Sequence, residues 1–240
     1  MMQFGLFGSA RVKRGTDDPN SIQGYENWIE FSVAAEALGY HSIFTVEHHF
    51  TGIGQVSESL NLMTYLAART TKLRLGTGVT TLPWHNPVLL AEQAVTLDLL
   101  SGGRLYFGVG KGCIYNEFKG LGIDMDEADA RYAESLDLNL KAWTSDKRWN
   151  HKGKFWTFED VIVEPPTIQK PHPPIWFAAG RPGPIREAAR RGGNMLIDQY
   201  CPLDEVIKRV SIFRDQQKKI GREEKSFAER FTSQKIKTKN

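Results

Sequence analysis

Glu47, His48 and His49 follow one another directly, and a carboxylate beside two imidazoles suits either metal binding or proton transfer. Strand geometry opposes the metal, because successive side chains point to opposite faces and both imidazoles reach one ion only if the chain turns between them. No HExxH spacing and no Cys/His cluster supplies further ligands among the six histidines, so no metal site is expected. What remains is proton transfer near neutral pH, with one histidine in a pocket as general acid or base and the other packed or capping. A purely structural pair is the alternative.

Two glycine-rich runs suit anions. Gly108-Val109-Gly110-Lys111-Gly112 lets backbone approach a ligand closely and adds a point charge at Lys111. It is not a P-loop, whose GxxxxGK[ST] spacing it lacks and whose metal-binding hydroxyl Cys113 stands too late to replace. Nor is it the G-x-G-x-x-G dinucleotide fingerprint, because Gly112 falls one residue early. Ala179-Gly180-Arg181-Pro182-Gly183-Pro184 leads from a strand into a helix whose first-turn N–H groups and dipole favour an anion, with Arg181 offering a bidentate contact. Each run is equally compatible with a structural turn.

These residues sit at the ends of apolar, strand-like runs that alternate with helix-period segments. The pattern predicts strand Gln3–Gly8 and helix Ser21–Leu38, strand His41–Glu47 and helix Ser57–Arg69, and strand Leu73–Leu82 and helix Pro87–Leu100. Strand Arg104–Val109 follows, then a Gly-rich loop and helix Glu127–Trp143. Thr144–Pro174 breaks the rhythm and reads as an inserted hairpin with arms Lys154–Phe158 and Val161–Glu164. Alternation resumes with strand Ile175–Ala179, helix Pro184–Arg191, strand Asn194–Gln199 and helix Leu203–Ile220. Such alternation argues for a parallel sheet in an α/β fold, as a barrel or a doubly wound sheet, with ligands at the carboxyl ends of the strands. The expected organisation is a (β/α) domain over 1–221 and a polar, basic tail over 222–240, in which no seventh or eighth strand is evident.

Composition sets the limits. With 240 residues, 40% hydrophobic and 11% aromatic, the chain can bury a sizeable core. A net charge of +3 from 31 basic and 28 acidic residues is too small and dispersed to argue for nucleic acid or an anionic membrane, so small molecules are the expected partners. Cys113 and Cys201 form neither a metal motif nor a disulfide framework, and the first residues lack a basic segment before a short apolar run. A cytoplasmic protein is expected.

Glu47-His48-His49-Phe50-Thr51, then Leu75 to Pro87 (LGTGVTTLPWHNP), then Leu97 to Gly110 (LDLLSGGRLYFGVG), with Pro173-Pro174-Ile175-Trp176 before the fifth strand, occur in this order and spacing in a known family. Over about Met2 to Ile220 the chain resembles the bacterial luciferase-like flavin monooxygenases, with a likeness to their limonene-monooxygenase-like branch. The resemblance implies a (β/α)8 TIM barrel, here ending after about six β/α units, that uses reduced FMN and O2 to insert one oxygen atom into a small apolar organic substrate. It makes His48 the pocket acid/base, with His49 a second candidate, and Gly78-Val79 a non-prolyl cis peptide that supports the flavin ring. It places Lys111 and Arg131 at the phosphate, and Gly112 and Tyr115 along the ring edge. At the fifth-strand turn Gly180, Arg181 and Pro184 replace the family's hydroxyl residues, with Arg181 supplying charge instead.

Because no nicotinamide fingerprint is visible in the chain, a separate flavin reductase is expected to supply reduced FMN, and a homodimer is the expected assembly. Two alternatives remain: an oxidoreductase using the deazaflavin F420 for hydride transfer, and a truncated flavin-binding protein without catalysis.

Overall fold

The computed structural model describes residues 3–10, 21–52, 56–198 and 200–222, and the backbone of 228–229. Most of the 222–240 tail, with Phe227 and Phe231, lies outside the described residues, as do Met2 and Gln199. The chain forms two compact units, residues 1–174 and 175–240.

The first unit begins with β1 (Gly5–Gly8), α1 (Ser21–Ala37), β2 (Ser42–Thr45), α2 (Ser59–Arg69) and β3 (Arg74–Thr77). These strands pair in parallel, Gly5 opposite Ser42 and Ser42 opposite Arg74. All four residues of β2 are buried, as a parallel strand covered on both faces requires. Gly76 is dictated by that packing, since a Cβ there would collide with the Phe44 ring.

The apolar stretch expected as one strand over Leu73–Leu82 is divided. After β3 come a cis Gly78–Val79 peptide bond, β4 (Thr80–Thr81) and a 3-10 turn over Leu82–Trp84. Thr77 explains the division: its Oγ1 donates to Gly108 O at 2.8 Å and accepts from Gly108 N at 2.9 Å, so a side chain replaces the backbone ladder there. Beyond it, Thr80 and Thr81 pair with Val109 and Gly110. Both halves are buried, so hydrophobicity alone does not mark the break.

Next come α3 (Pro87–Leu100), β5 (Leu105–Gly110), α4 (Tyr115–Gly120) and α5 (Ala128–Thr144). Asn86 caps α3, its Oδ1 accepting from Val88 N and Leu89 N, with Pro87 in the first turn. Asn139 and Trp143 fasten α5 to α3 by donating to Pro87 O at 2.6 Å and Ala91 O at 3.1 Å. α4 falls where a loop is expected; its six residues are too few to display a helical period.

The hairpin exists but its arms are β6 (Trp149–Lys152) and β7 (Thr157–Val161), several residues before the expected ones. Gly153 N donates to Trp156 O at 2.9 Å, and the Glu134 carboxylate accepts from Phe155 N and Trp156 N at 3.1 and 3.0 Å. The aromatic segment expected as a strand is therefore partly the turn, held by a carboxylate from α5.

In the second unit β8 (Ile175–Ala178), α6 (Pro182–Arg190), β9 (Asn194–Ile197) and α7 (Leu203–Lys219) complete six β/α units along the chain. β8 and β9 are parallel. Contrary to expectation, a further parallel strand follows: β10 (Ala228–Glu229) pairs with β9, Ala228 opposite Leu196. Its pairing is a backbone property that a polar sequence conceals. α6 also starts two residues before the expected Pro184, with Arg181 as N-cap. Its first three positions are then Pro182, Gly183 and Pro184, so only Gly183 offers a free N–H.

Candidate functional site

The chain leaves β2 by a turn, His48 N donating to Val56 O at 3.0 Å, and the two histidines separate onto two buried carboxylates. Glu117 on α4 accepts at Oε1 from His48 Nδ1 at 3.0 Å and from the backbone N–H of His49 at 2.8 Å. Glu47 accepts at Oε1 from His49 Nε2 at 3.1 Å and His85 Nε2 at 2.6 Å, and at Oε2 from Thr81 N at 2.9 Å. A carboxylate only accepts, so each imidazole nitrogen facing one carries hydrogen. Neutral His48 is thereby held with hydrogen on Nδ1 and a lone pair on Nε2, whereas neutral His49 has hydrogen on Nε2 and its lone pair on Nδ1. Adjacent in sequence, they are opposite tautomers.

Their surroundings differ as well. The His48 side chain is 33% exposed and that of His49 14%, and His49 packs edge-on against Trp84 with ring centroids 5.3 Å apart. Trp84 meets Phe118 of α4 at 5.5 Å. Gly112 seals this packing with a positive φ of 79°; a Cβ would stand 2.8 Å from Thr81 Cγ2 and 2.9 Å from Phe118 Cε2, so only glycine fits.

Electrostatics binds Glu47 to His85. Burial opposes ionisation of Glu47, but bonds from His49 and His85, the His85 charge and the Thr81 N–H outweigh it and hold the carboxyl below its usual range. Burial likewise opposes a charged His85, yet the bond to Glu47 and the charges of Glu47 and Glu58 raise its pKa above the ordinary imidazole value. Both shifts favour the charged pair.

Lys111 and Arg131, expected at a phosphate, are already engaged. Lys111 Nζ lies 2.9 Å from both carboxylate oxygens of Asp129, and Arg131 donates to Glu127 Oε2 from Nε at 3.0 Å while its guanidinium stands 4.3 Å from the Phe155 ring centroid. Tyr115, the first residue of α4, is exposed. Gly78 N donates to Thr45 O at 2.8 Å, and a Cβ on Gly78 would come within 3.0 Å of Phe7, which fixes the Gly78–Val79 segment against β1 and β2. Within the second unit, Gly180 precedes α6, where a Cβ would stand 3.4 Å from Arg209 Nη1, and the Arg181 side chain makes no capping bond.

In the first unit, His48, His49 and Gly112 are thus gathered around Glu117, Trp84 and Thr81, while Lys111 and Arg131 are held by carboxylates near the start of α5. Sequence reasoning missed Glu117 and His85. His85 lies inside a quoted motif, where its hydrogen-bonding side chain beside an equally polar Asn86 is a signal; Glu117 offers none without α4. Among the described residues no group of three or more His, Cys, Asp or Glu is arranged to hold a metal ion, and no helix is long and apolar enough to cross a membrane.

Comparison with known proteins meets this geometry. The family described as Luciferase-like monooxygenase matches residues 2–233. The oxygenase component of the flavin-dependent trigonelline monooxygenase of Acinetobacter baylyi is 31% identical over 211 residues, covering 87% of this chain and 58% of that protein. An F420-dependent glucose-6-phosphate dehydrogenase of Amycolatopsis mediterranei is 33% identical over 182 residues, 72% of this chain and 53% of that protein. The crystal structure of the monooxygenase RslO1 from Streptomyces bottropensis superposes with a TM-score of 0.86 at 31% identity, covering 93% of this chain and 68% of that one. The chain spans somewhat more than half the length of these curated relatives. Its α/β fold is of the (β/α)8 TIM-barrel type, of which it carries six β/α units and β10. The parallel strands and the match along nearly the whole length agree: this chain belongs to the luciferase-like monooxygenase family.

Proposed function

We propose that this protein is a monooxygenase that uses reduced FMN and O2 to place one oxygen atom in a small apolar organic substrate. The observation that carries this reading is His48, one-third exposed at the end of a parallel strand, its Nδ1 tied to buried Glu117. Nε2 has no protein partner among the described residues, so it is the atom that takes or gives a proton, while Glu117 fixes the ring and stabilises the imidazolium. His49, committed to Glu47 through Nε2, holds the second position.

The donor set suits a flavin phosphate in kind. Lys111 and Arg131 are the groups we assign to it; Gly180 and Arg181 of the second unit are assigned separately as cofactor contacts, through close backbone approach and charge. Gly78, Val79, Gly112 and Tyr115 are assigned to the flavin ring. When bound, the flavin supplies the O2 activation; the protein's part is to orient the ring, exclude water and manage protons at His48. A separate reductase delivers the reduced flavin, and the working form is a cytoplasmic homodimer. Kinship to an oxygenase component supports the two-component arrangement.

A second reading is favoured by the F420-dependent relative: hydride transfer with the deazaflavin at the same histidine. Mixing the protein anaerobically with reduced FMN, then admitting O2 with a substrate panel, separates the readings. Oxygenated product is expected. Hydrogen peroxide without product would favour a flavin binder without catalysis, and indifference to FMN with reduction of F420 would replace the monooxygenase reading.

A further inference from the structure

Glu47 is a buried carboxylate whose single oxygen Oε1 receives two imidazoles, His85 at 2.6 Å and His49 at 3.1 Å. A buried carboxylate needs a compensating charge, and the shorter bond is the mark of a charge-assisted one. We propose that His85 is the counter-ion of Glu47 and thereby a positioning residue for His49, keeping the His49 ring neutral with hydrogen on Nε2 and its Nδ1 lone pair free.

The surroundings of His85 suit a cation. Its ring borders a small pocket, with room for a water-sized molecule, lined also by Glu47, Glu58, Ser57, Gln93 and Thr80. Glu58 brings a second negative charge to that pocket, and Thr80 Oγ1 is buried with no partner among the described residues. His49 is placed differently, walled by the Trp84 edge and the Phe50 ring at centroid distances of 5.3 and 5.8 Å. Of the two imidazoles on Glu47, His85 has the shorter bond and a second acidic neighbour, so the proton that makes one ring cationic is assigned to His85. His48 is independent of this arrangement, because Glu117 holds it.

The functional weight of the inference rests on the monooxygenase reading, since a free Nδ1 matters only if His49 faces substrate or cofactor. Its test does not: long-range proton–nitrogen NMR on the full chain labelled with nitrogen-15 histidine, without flavin, at pH 7. Wild type is expected to show both His85 nitrogens protonated, His49 bearing hydrogen on Nε2 only, and His48 on Nδ1 only. His85→Gln keeps a donor but removes the charge, and is expected to shift His49 to the doubly protonated pattern while leaving His48 unchanged. Glu47→Gln is expected to return His85 to a neutral ring, and it reads the inference even where His85→Gln fails to fold. A neutral His85 in wild type, or an unaltered His49 in folded His85→Gln, overturns the inference. Absence of flavin turnover with these NMR patterns intact would count against the monooxygenase reading alone.

Discussion

The histidine cluster and the basic residues of the first unit are built on opposite plans. Around Glu47 and Glu117 the acceptors are buried, every described bond runs to a group fixed by backbone or packing, and the tautomers of His48 and His49 follow. At Lys111 the partner carboxylate of Asp129 is 75% exposed, so the pair is screened and its geometry can be exchanged for another. Arg131 stands between, half sheltered against Phe155 and paired one turn back along its own helix. The first region holds its imidazoles in fixed orientations, which suits the proposed proton transfer, a step that tolerates little misplacement. The second keeps its positive charge under a carboxylate that the proposed phosphate would have to displace.

The largest effect is expected where a buried charge loses its partner. Glu47→Ala leaves His85 uncompensated and Thr81 N–H without its acceptor, and should cost ~3–5 kcal/mol in a urea titration. The pH dependence follows from the two shifts. The Glu47 pKa lies below its ordinary 4.5, so its contribution is complete above that value and lost as pH falls through the lower folded value. The His85 pKa lies above its ordinary 6.5, so its contribution is complete below 6.5 and lost as pH rises through the higher folded value. The stability gap between wild type and Glu47→Gln should therefore be widest between pH 4.5 and 6.5 and narrow on both sides. A gap that grows steadily above 6.5 would refute the charged pair.

Next in size are effects on the proposed reaction. Replacing His48 by Ala should lower product formation by ~10²-fold or more, the usual scale of general acid–base catalysis, while FMN affinity stays nearly constant. Glu117→Gln keeps the ring in place but weakens its hold on the Nδ1 hydrogen, and ~10-fold is expected, well short of removing the imidazole. If Glu117→Gln equals His48→Ala in loss, the carboxylate does more than orient the ring. If it has no effect on rate, tautomer control is irrelevant to turnover.

Much of this was legible in the sequence, and what was not has identifiable causes. The six β/α units follow from alternating apolar runs and helical periods, which report burial directly. The hairpin arms were misplaced because Lys154–Phe158 is aromatic for the sake of a turn that Glu134 holds from another element. Glu117 escaped because α4 is short and the bond from its side chain to His48 spans 69 positions. The pair of histidines was seen, but the division of labour between them depends on those two carboxylates, and only one of them is adjacent in sequence. The helix expected to begin at Pro184 begins at Pro182, and the position of that start decides whether N–H groups remain for an anion. The choice of cofactor is not legible in the strand-end motifs, as a flavin-dependent and an F420-dependent relative carry comparable identity.

The smallest effect probes the weaker half of the comparison. If Lys111 meets the FMN phosphate, Asp129 competes with the ligand, and removing it should help. Asp129→Asn is expected to tighten FMN by ~1.4–5-fold, the range set by exposed ion pairs worth ~0.2–1 kcal/mol, and to leave riboflavin unchanged because riboflavin has no phosphate. Lys111→Ala should weaken FMN by a similar factor, again sparing riboflavin, and the two substitutions together should bind FMN no better than Lys111→Ala alone. That non-additivity matters more than either single change: it appears only if Asp129 acts through Lys111. Equal changes for FMN and riboflavin in fluorescence titrations would remove Lys111 from the phosphate and leave the Lys111–Asp129 pair as a clasp between the end of β5 and the start of α5. Higher salt sharpens the contrast, since it screens the exposed Lys111–Asp129 pair far more than the buried Glu47–His85 pair.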